Sequence, residues 1–377
     1  MKVTIVGPSL RFIGGQSVQA DLLLRQWKGD ADLEMNFIPS DPELPRALAW
    51  VGRIRYLRTL VRTLLFLVGL WRGIRGTEVV HIFSASYWSF LLGPAPAWLA
   101  ARLRRKKALI NYRSGEAPDH LRKSATARAI LSRADQIVVP SQYLVDVFRQ
   151  HDLTAKVVPN IVDLGQFSYR VRSPLHPWLV CTRMFEPYYQ VDFVVRSFAE
   201  VIKVFPEARL CLVGNGSQEN EIRKLVAEFN LHNVEFAGTV RRGTIGQYYD
   251  RSDIFVNASR LDNMPVSIIE AFASGTPVVT TAAEGVRYLV EHERTGLLCE
   301  PHDWKALAEN LIRMMTEPDL ALRLARNAHE ESLQYGWNAV RGRWLEVYRS
   351  VLLPRSCDGQ QPEHLTVSGT IRKGPVC

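Results

Sequence analysis

Short β-branched and apolar runs alternate with longer stretches of helical periodicity from one end of the chain to the other. The first half offers KVTIVG, EVVHIFS, KALINYR, QIVVP and AKVVP as strands; the second offers WLVCTRM, RLCLVG, VEFAG, DIFVNAS, PVVTT and GLLCE. Helical spacing fills the intervals, as in DWKALAENLIRMM. Strand–helix alternation of this kind predicts parallel sheets covered by helices on both faces. It pauses at FSYRVRSPLHP, residues 167–177, a polar segment with two prolines that reads as a linker. The expected class is α/β, with two doubly wound, Rossmann-like domains facing each other across a cleft. Their expected spans are 1–170 and 171–335. Trp337, Val340, Trp344, Tyr348 and Val351 keep helical spacing within a last helix, 336–353. The segment from Pro354 to Cys377 is polar, rich in Pro and Gly and without period, so it is expected to be disordered.

Composition narrows the partners. A chain of 377 residues can bury two cores, and a formal net charge of +9 favours an anionic partner. Nucleotide phosphates and an anionic membrane surface both fit. Nucleic acid fits poorly, because no basic motif interleaved with aromatics and no reading helix is present. The five cysteines form no C-x-x-C pair, and three of them lie in strand-like runs, which predicts reduced thiols and a cytoplasmic setting. MKVTIVGPSL reads as strand and loop rather than a secretory leader. The longest lipid-like stretch, TLLFLVGLW, is far below the roughly 20 residues that span a bilayer. Around it Leu57, Val61, Leu64, Val68 and Trp71 follow helical spacing while Arg55, Arg58 and Arg62 gather on another side, and ARLRRKK adds charge further on. Peripheral attachment to an anionic membrane and an ordinary core-facing helix are equally consistent with this pattern.

One segment combines apolar and acidic residues in a way that needs explaining, LDNMPVSIIEAFASGTPVV at 261–279. Pro265 suits the first turn of a helix, Asn263 is a reasonable cap, and Gly275 ends it. Val266, Ile269 and Ala273 then share a face with Glu270, which would put a carboxylate on the core side at considerable cost. The start of such a helix seats phosphate well. From Pro265 to Glu270 the axis advances roughly 7.5 Å. A diphosphate at the helix start would leave hydroxyls of its two flanking groups within reach of Glu270 and Asp262.

The pattern D-N-x-P-x-x-x-x-E-A-x-A-x-G-x-P-V-V resembles the signature of glycosyltransferase family 4, retaining enzymes of the GT-B fold. SRADQIVVPSQYLVDVF, VVPNIVDLGQF, LCLVGNGSQENEIRKL, VEFAGTV and SDIFVNAS extend that resemblance over most of the chain. It implies an N-terminal acceptor-side domain, a C-terminal nucleotide-sugar domain and a last helix crossing back to the first. It implies Glu270 on ribose hydroxyls, Asp262 on those of the donor sugar, and backbone N–H groups of Asn263 and Met264 near sugar and phosphate. Pro265 opens the phosphate-binding helix, and Val240 lies at the base. Asp262 replaces the more usual Glu. Arg183, at the end of WLVCTR, is implied as the diphosphate cation, whose charge matters as the leaving group departs. The family's lysine six residues later is here Tyr189, which donates a hydrogen bond but no charge.

In GPSLRFIGGQSVQ the Gly14–Gly15 turn matches no dinucleotide or Walker spacing, but in the resembled family this loop closes over the diphosphate. The resemblance places a histidine after LINY, where this chain has Arg113; it either holds a phosphate or acidic group or pairs with Glu116. His120, on a helix start, is no assumed substitute, and His81 reads as a hydrogen-bonded core residue. Asp30 and Asp32 form a D-x-D by chance of composition, and no histidines have metal-ligand spacing, so no essential metal or other cofactor is expected. The expected activity is transfer of a sugar from a nucleotide diphosphate sugar to a glycan or lipid-linked acceptor hydroxyl. A sugar-nucleotide epimerase on the same fold and a catalytically silent binding homologue are the rivals.

Overall fold

The computed structural model describes residues 1–11 and 14–353; the tail expected to be disordered lies outside them. The strands are β1 Lys2–Gly7, β2 Glu34–Pro39, β3 Val79–Ser84, β4 Lys107–Tyr112, β5 Gln136–Val139 and β6 Lys156–Val157. The second set is β7 Trp178–Cys181, β8 Arg209–Val213, β9 Val234–Gly238, β10 Ile254–Asn257, β11 Val278–Thr281 and β12 Leu297–Cys299. They form two six-stranded sheets, ordered β2-β1-β3-β4-β5-β6 and β12-β11-β10-β7-β8-β9, with every pairing parallel. This is the expected pair of doubly wound domains.

Among the strands only β2, EMNFIP, escapes the sequence reading. It is an edge strand with half-exposed residues, so it carries none of the unbroken apolar character of β3, whose six residues are all buried. The segment 167–177, expected as a linker, is held firmly in place. Arg172 is 2 % exposed and donates to the carbonyls of Ser252 at 2.9 Å, Ser274 at 2.7 Å and Tyr249 at 2.8 Å. The helix Trp337–Leu352 buries Val340, Trp344, Tyr348 and Val351 against Val3, Ile5, Leu23, Trp27 and Val79. The chain therefore ends its described course on the first domain, and Asp30 and Asp32 serve that return by binding Arg341 at 2.9 and 2.8 Å.

Both sheets change winding direction once, between β1 and β3 in the first and between β7 and β10 in the second. Ligands bind at such switch points, where the loops after adjacent strands diverge and leave a crevice. The loops that follow β1, β4, β7 and β10 accordingly line one interdomain cavity of about 580 Å³.

Candidate functional site

Arg183 follows β7 and is only 9 % exposed. Its guanidinium donates to Ser267 Oγ at 3.1 Å and Ser259 Oγ at 3.3 Å and forms a tight ion pair with Asp262. Tyr189 lies under it, the guanidinium carbon 4.0 Å from the ring centre, so the residue at the lysine position acts as a platform for Arg183. Burial works against the charge on Arg183, and the neighbouring Asp262 carboxylate more than restores it. Burial also lifts the Asp262 carboxyl above its ordinary value, with Arg183 pulling in the other direction. The loop carrying Arg183 is pressed against Gly214, which has φ +148°; a Cβ there would strike the Arg183 carbonyl.

The signature helix runs Val266–Ala273, and two expectations for it need correction. Pro265, not Asn263, is its N-cap, and no side chain caps it. Asn263 instead accepts a short hydrogen bond from Ser141 Oγ, which arrives from the first domain. Nor does Glu270 face the core. Ser267, Ile268, Ile269, Ala271, Phe272 and Ala273 are all buried, so the helix is packed nearly all round, and the half-exposed Val266 and Glu270 form the strip that faces the cavity. The helix looks apolar because its three remaining sides are core; the carboxylate occupies the side that opens.

Tyr249, fully buried, holds Glu270 Oε2 at 2.9 Å. The same hydroxyl lies 3.0 Å from the Ser267 carbonyl and 2.7 Å from Thr182 Oγ1. With one proton and two pure acceptors in reach, Tyr249 must receive its bond from Thr182. Burial, then the Glu270 charge, pushes the Tyr249 phenol far up, so it stays a donor. Gly285 fixes the other end of the segment. It donates to the Asp262 carbonyl at 3.0 Å, and a Cβ there would meet the Asn263 carbonyl.

The first domain supplies the opposite wall. Gly14 caps the helix Gly15–Gln26, with Ser17 Oγ 3.1 Å from its N–H, and both glycines line the cavity. They also line a second cavity of about 350 Å³ bounded by Pro8, Ser40, Phe83, Ser89 and Pro94, at the β1/β3 switch point. Asn160 donates Nδ2 to the Met264 carbonyl at 2.9 Å, leaving its own buried Oδ1 without a partner. Arg113 lines the main cavity and makes no ion pair with Glu116 among the described residues. His120 is buried against Tyr112, Tyr87 and Phe90, away from the cavity. Val240 packs with the core around Phe255 and Tyr249 and is not among the cavity-lining residues.

Arg183, Asp262, Glu270, Gly14, Gly15, Asn263, Met264, Pro265, Arg113 and Tyr189 thus converge on one space. Asn160, Ser141, Thr182, Ser267 and Tyr249 join or brace them, and sequence reasoning missed all five. VVPN was a visible signal for Asn160, whereas a Tyr eight residues before the end of a strand carries none. Cys181, Cys211 and Cys299 are buried thiols and do not line the cavity. Among the described residues no group of three His, Cys, Asp or Glu is placed to hold a metal.

The first domain also carries an exposed apolar surface. On the helix Arg55–Gly73, Phe66 and Leu70 face the core, while Leu60, Leu64, Val68 and Trp71 are exposed. Trp88, Leu91 and Leu92 on Tyr87–Leu92, and Leu99 and Leu103 on Pro94–Leu103, are exposed as well. Arg104 stacks on Trp71 at 3.8 Å and joins the first and third of these helices. Of the arginines expected to flank the apolar stripe, Arg58 and Arg62 are half-buried, and burial with Arg11 and Arg58 nearby lowers Arg62. The exposed charges beside the stripe are Arg72, Arg75, Arg102 and Arg105. No helix among the described residues is long and apolar enough to cross a membrane.

Comparison with known proteins agrees with this geometry. Residues 13–166 match the model for Glycosyltransferase Family 4, and residues 176–331 match that for Glycosyl transferases group 1. The chain is 28 % identical over 258 residues to an exopolysaccharide phosphotransferase of Streptomyces coelicolor, covering 66 % of this chain and 27 % of that protein. It is 31 % identical over 159 residues to the N,N'-diacetylbacillosaminyl-diphospho-undecaprenol alpha-1,3-N-acetylgalactosaminyltransferase of Campylobacter jejuni, 42 % of each. The chain therefore spans less than half the length of these relatives in the matched regions. Among solved structures, Alr3699/HepE of Anabaena in complex with UDP-glucose superposes with a TM-score of 0.74 at 18 % identity, over 93 % of this chain and all of that one. The two matched models, the paired sheets and the crossing helix together give this chain the GT-B fold, with a first domain like that of Glycosyltransferase Family 4 and a second like that of Glycosyl transferases group 1.

Proposed function

We propose that the protein is a retaining glycosyltransferase that moves a sugar from a nucleotide diphosphate sugar to an acceptor hydroxyl. The single observation carrying this reading is the arrangement around the start of the helix Val266–Ala273. Arg183 and the free N–H groups of that helix offer a diphosphate seat, with Asp262 on one side and Glu270 on the other. Glu270, oriented by Tyr249, takes the ribose hydroxyls; Asp262 takes those of the sugar. In the transfer the acceptor oxygen bonds to the anomeric carbon as the carbon–phosphate oxygen bond breaks. The departing diphosphate takes the acceptor proton, on the same face, while Arg183 and the helix N-terminus hold its growing charge. The UDP-glucose bound by the structural neighbour makes uridine nucleotides the first donors to test.

The acceptor reading is a glycan or a lipid-linked sugar used in building cell-surface material. The exposed apolar stripe with Arg72, Arg75, Arg102 and Arg105 fits the inner face of an anionic membrane, which would present such an acceptor to the second cavity. The lipid-diphosphate acceptor in the name of the Campylobacter relative points the same way.

The test is incubation with UDP-, GDP- and ADP-sugars, with and without lipid-linked acceptors, following product by NMR. Transfer with an unchanged anomeric configuration is expected. Inversion would remove the retaining mechanism. Altered free nucleotide sugar without acceptor would favour an epimerase, and nucleotide binding without any turnover a silent homologue.

A further inference from the structure

The cavity holds two guanidiniums in very different states. Arg183 is already neutralised by Asp262. Arg113, on the opposite wall at the end of β4, has no ion-pair partner among the described residues, and its Nη2 is buried without a hydrogen bond. The residue as a whole is half-buried with its guanidinium 5.4 Å from the Phe83 ring centre, but a buried Nη2 without an acceptor is costly, and burial pulls Arg113 down to about 9 with no carboxylate opposing the shift.

The side chain is nevertheless held from behind by a chain of hydrogen bonds. Arg113 has only donors, so Nη1, 3.4 Å away, must face the Asn111 oxygen. That turns the Asn111 amide N–H toward His81 Nε2 at 3.0 Å, making Nε2 the acceptor. The imidazole proton therefore sits on Nδ1 and points at the Tyr348 hydroxyl, 2.8 Å away on the crossing helix. His81 is fully buried, and desolvation lowers it to about 3, so this tautomer is neutral and fixed. The loop that follows is tied to the donor side, since Gly115 lies against Leu261 and Asn263.

Charge decides what such a group is for. Among the described residues lining the cavity, Glu116, Asp262 and Glu270 are acidic and only Arg113 and Arg183 are basic. A donor brings further negative charge into a space that already has an excess of it.

Resting on the nucleotide-sugar reading, we propose that Arg113 binds an oxyanion of the donor from the N-terminal wall, with Asn111, His81 and Tyr348 as its positioning residues. The phosphate oxygens of the diphosphate and a carboxylate on the transferred sugar present the same chemistry to a guanidinium. Either would complete the only cation in the described lining that lacks a counter-charge.

The experiment is calorimetric titration of wild type, Arg113→Gln and Arg113→Lys with uridine, UDP, UDP-glucose and UDP-glucuronate. The expected result for Arg113→Gln is a loss of about tenfold to a hundredfold for UDP and both sugars, with uridine unchanged and Lys partly restoring binding. A loss confined to UDP-glucuronate assigns the oxyanion to the sugar carboxylate. Unchanged affinities throughout, or an equal loss for uridine, overturn the proposal. Asn111→Ala is expected to weaken UDP in the wild-type background but not in Arg113→Gln; a loss in both means that Asn111 acts only on the fold. If wild type binds none of UDP, GDP and ADP, the donor reading fails and takes this proposal with it. If it binds UDP and Arg113→Gln binds equally well, only this proposal fails.

Discussion

Arg183 and Asp262 form a buried ion pair, with side chains 9 % and 13 % exposed, at the point where two different parts of a donor would meet. In the proposed reaction one takes the diphosphate and the other the sugar, and each holds the other in place before any ligand arrives. Arg183→Ala therefore removes a phosphate cation and also leaves a buried carboxylate alone. Donor turnover should be abolished, and stability to denaturant should fall by up to about 3 kcal/mol. Adding Asp262→Asn should recover the stability but not the turnover. Normal turnover in Arg183→Ala would exclude Arg183 from the chemistry.

Glu270 and Tyr249 make a prediction about the ribose. Glu270→Ala should weaken UDP by about tenfold to a hundredfold, the range for a hydrogen bond to a charged group. It should not weaken a 2′,3′-dideoxy uridine diphosphate, which lacks the hydroxyls that the carboxylate would hold. Equal losses for both nucleotides would place Glu270 elsewhere in the site. Tyr249→Phe, tested in parallel, should show a smaller loss of the same selectivity, because it disorients the carboxylate without removing it.

His81 predicts a pH dependence of stability. Its ordinary value of 6.5 falls to about 3 in the folded chain because burial disfavours the charged ring. Below 6.5 the unfolded chain takes up a proton that the folded chain refuses. The stabilisation is thus complete above 6.5 and is lost as the pH falls toward 3, by about 1.4 kcal/mol per pH unit. Urea midpoints measured from pH 7 downward should drop more steeply for wild type than for His81→Gln. Parallel curves would mean that His81 is not a buried neutral group.

The apolar stripe gives a binding prediction. Leu64→Glu with Val68→Glu places two charges on exposed positions of the helix Arg55–Gly73 and should leave folding intact, since neither residue packs in the core. Sedimentation with vesicles containing anionic lipid should fall severalfold, and more so with Arg72→Glu added. Equal sedimentation of the variant and wild type would assign the stripe to something other than a membrane.

A last prediction concerns the backbone. Gly285→Ala should displace the Asp262–Asn263 segment, because the added methyl has no space beside the Asn263 carbonyl. A loss of nucleotide affinity with little change in global stability is expected, read by calorimetry and denaturation; unaltered affinity would show that the segment can shift without consequence.

The sequence by itself determined the two parallel sheets, the returning helix and the spacing that sets Asp262, Pro265 and Glu270 along one segment. All of these depend on local periodicity or on fixed spacing within a single segment. It missed β2, because a half-exposed edge strand leaves no continuous apolar run. It put Asn263 on the cap and Glu270 on the core side, because helical spacing says which residues share a face but not what that face meets. Only the tertiary structure decided that Arg183 spends its charge on Asp262, that Arg113 has no such partner, and that Leu64 and Val68 face outward while Phe66 and Leu70 face in. Pairing, burial and exposure are properties of segments brought together from far apart in the chain. The free energy of a charge or a methyl group is set by those neighbours rather than by the residue's own place in the sequence.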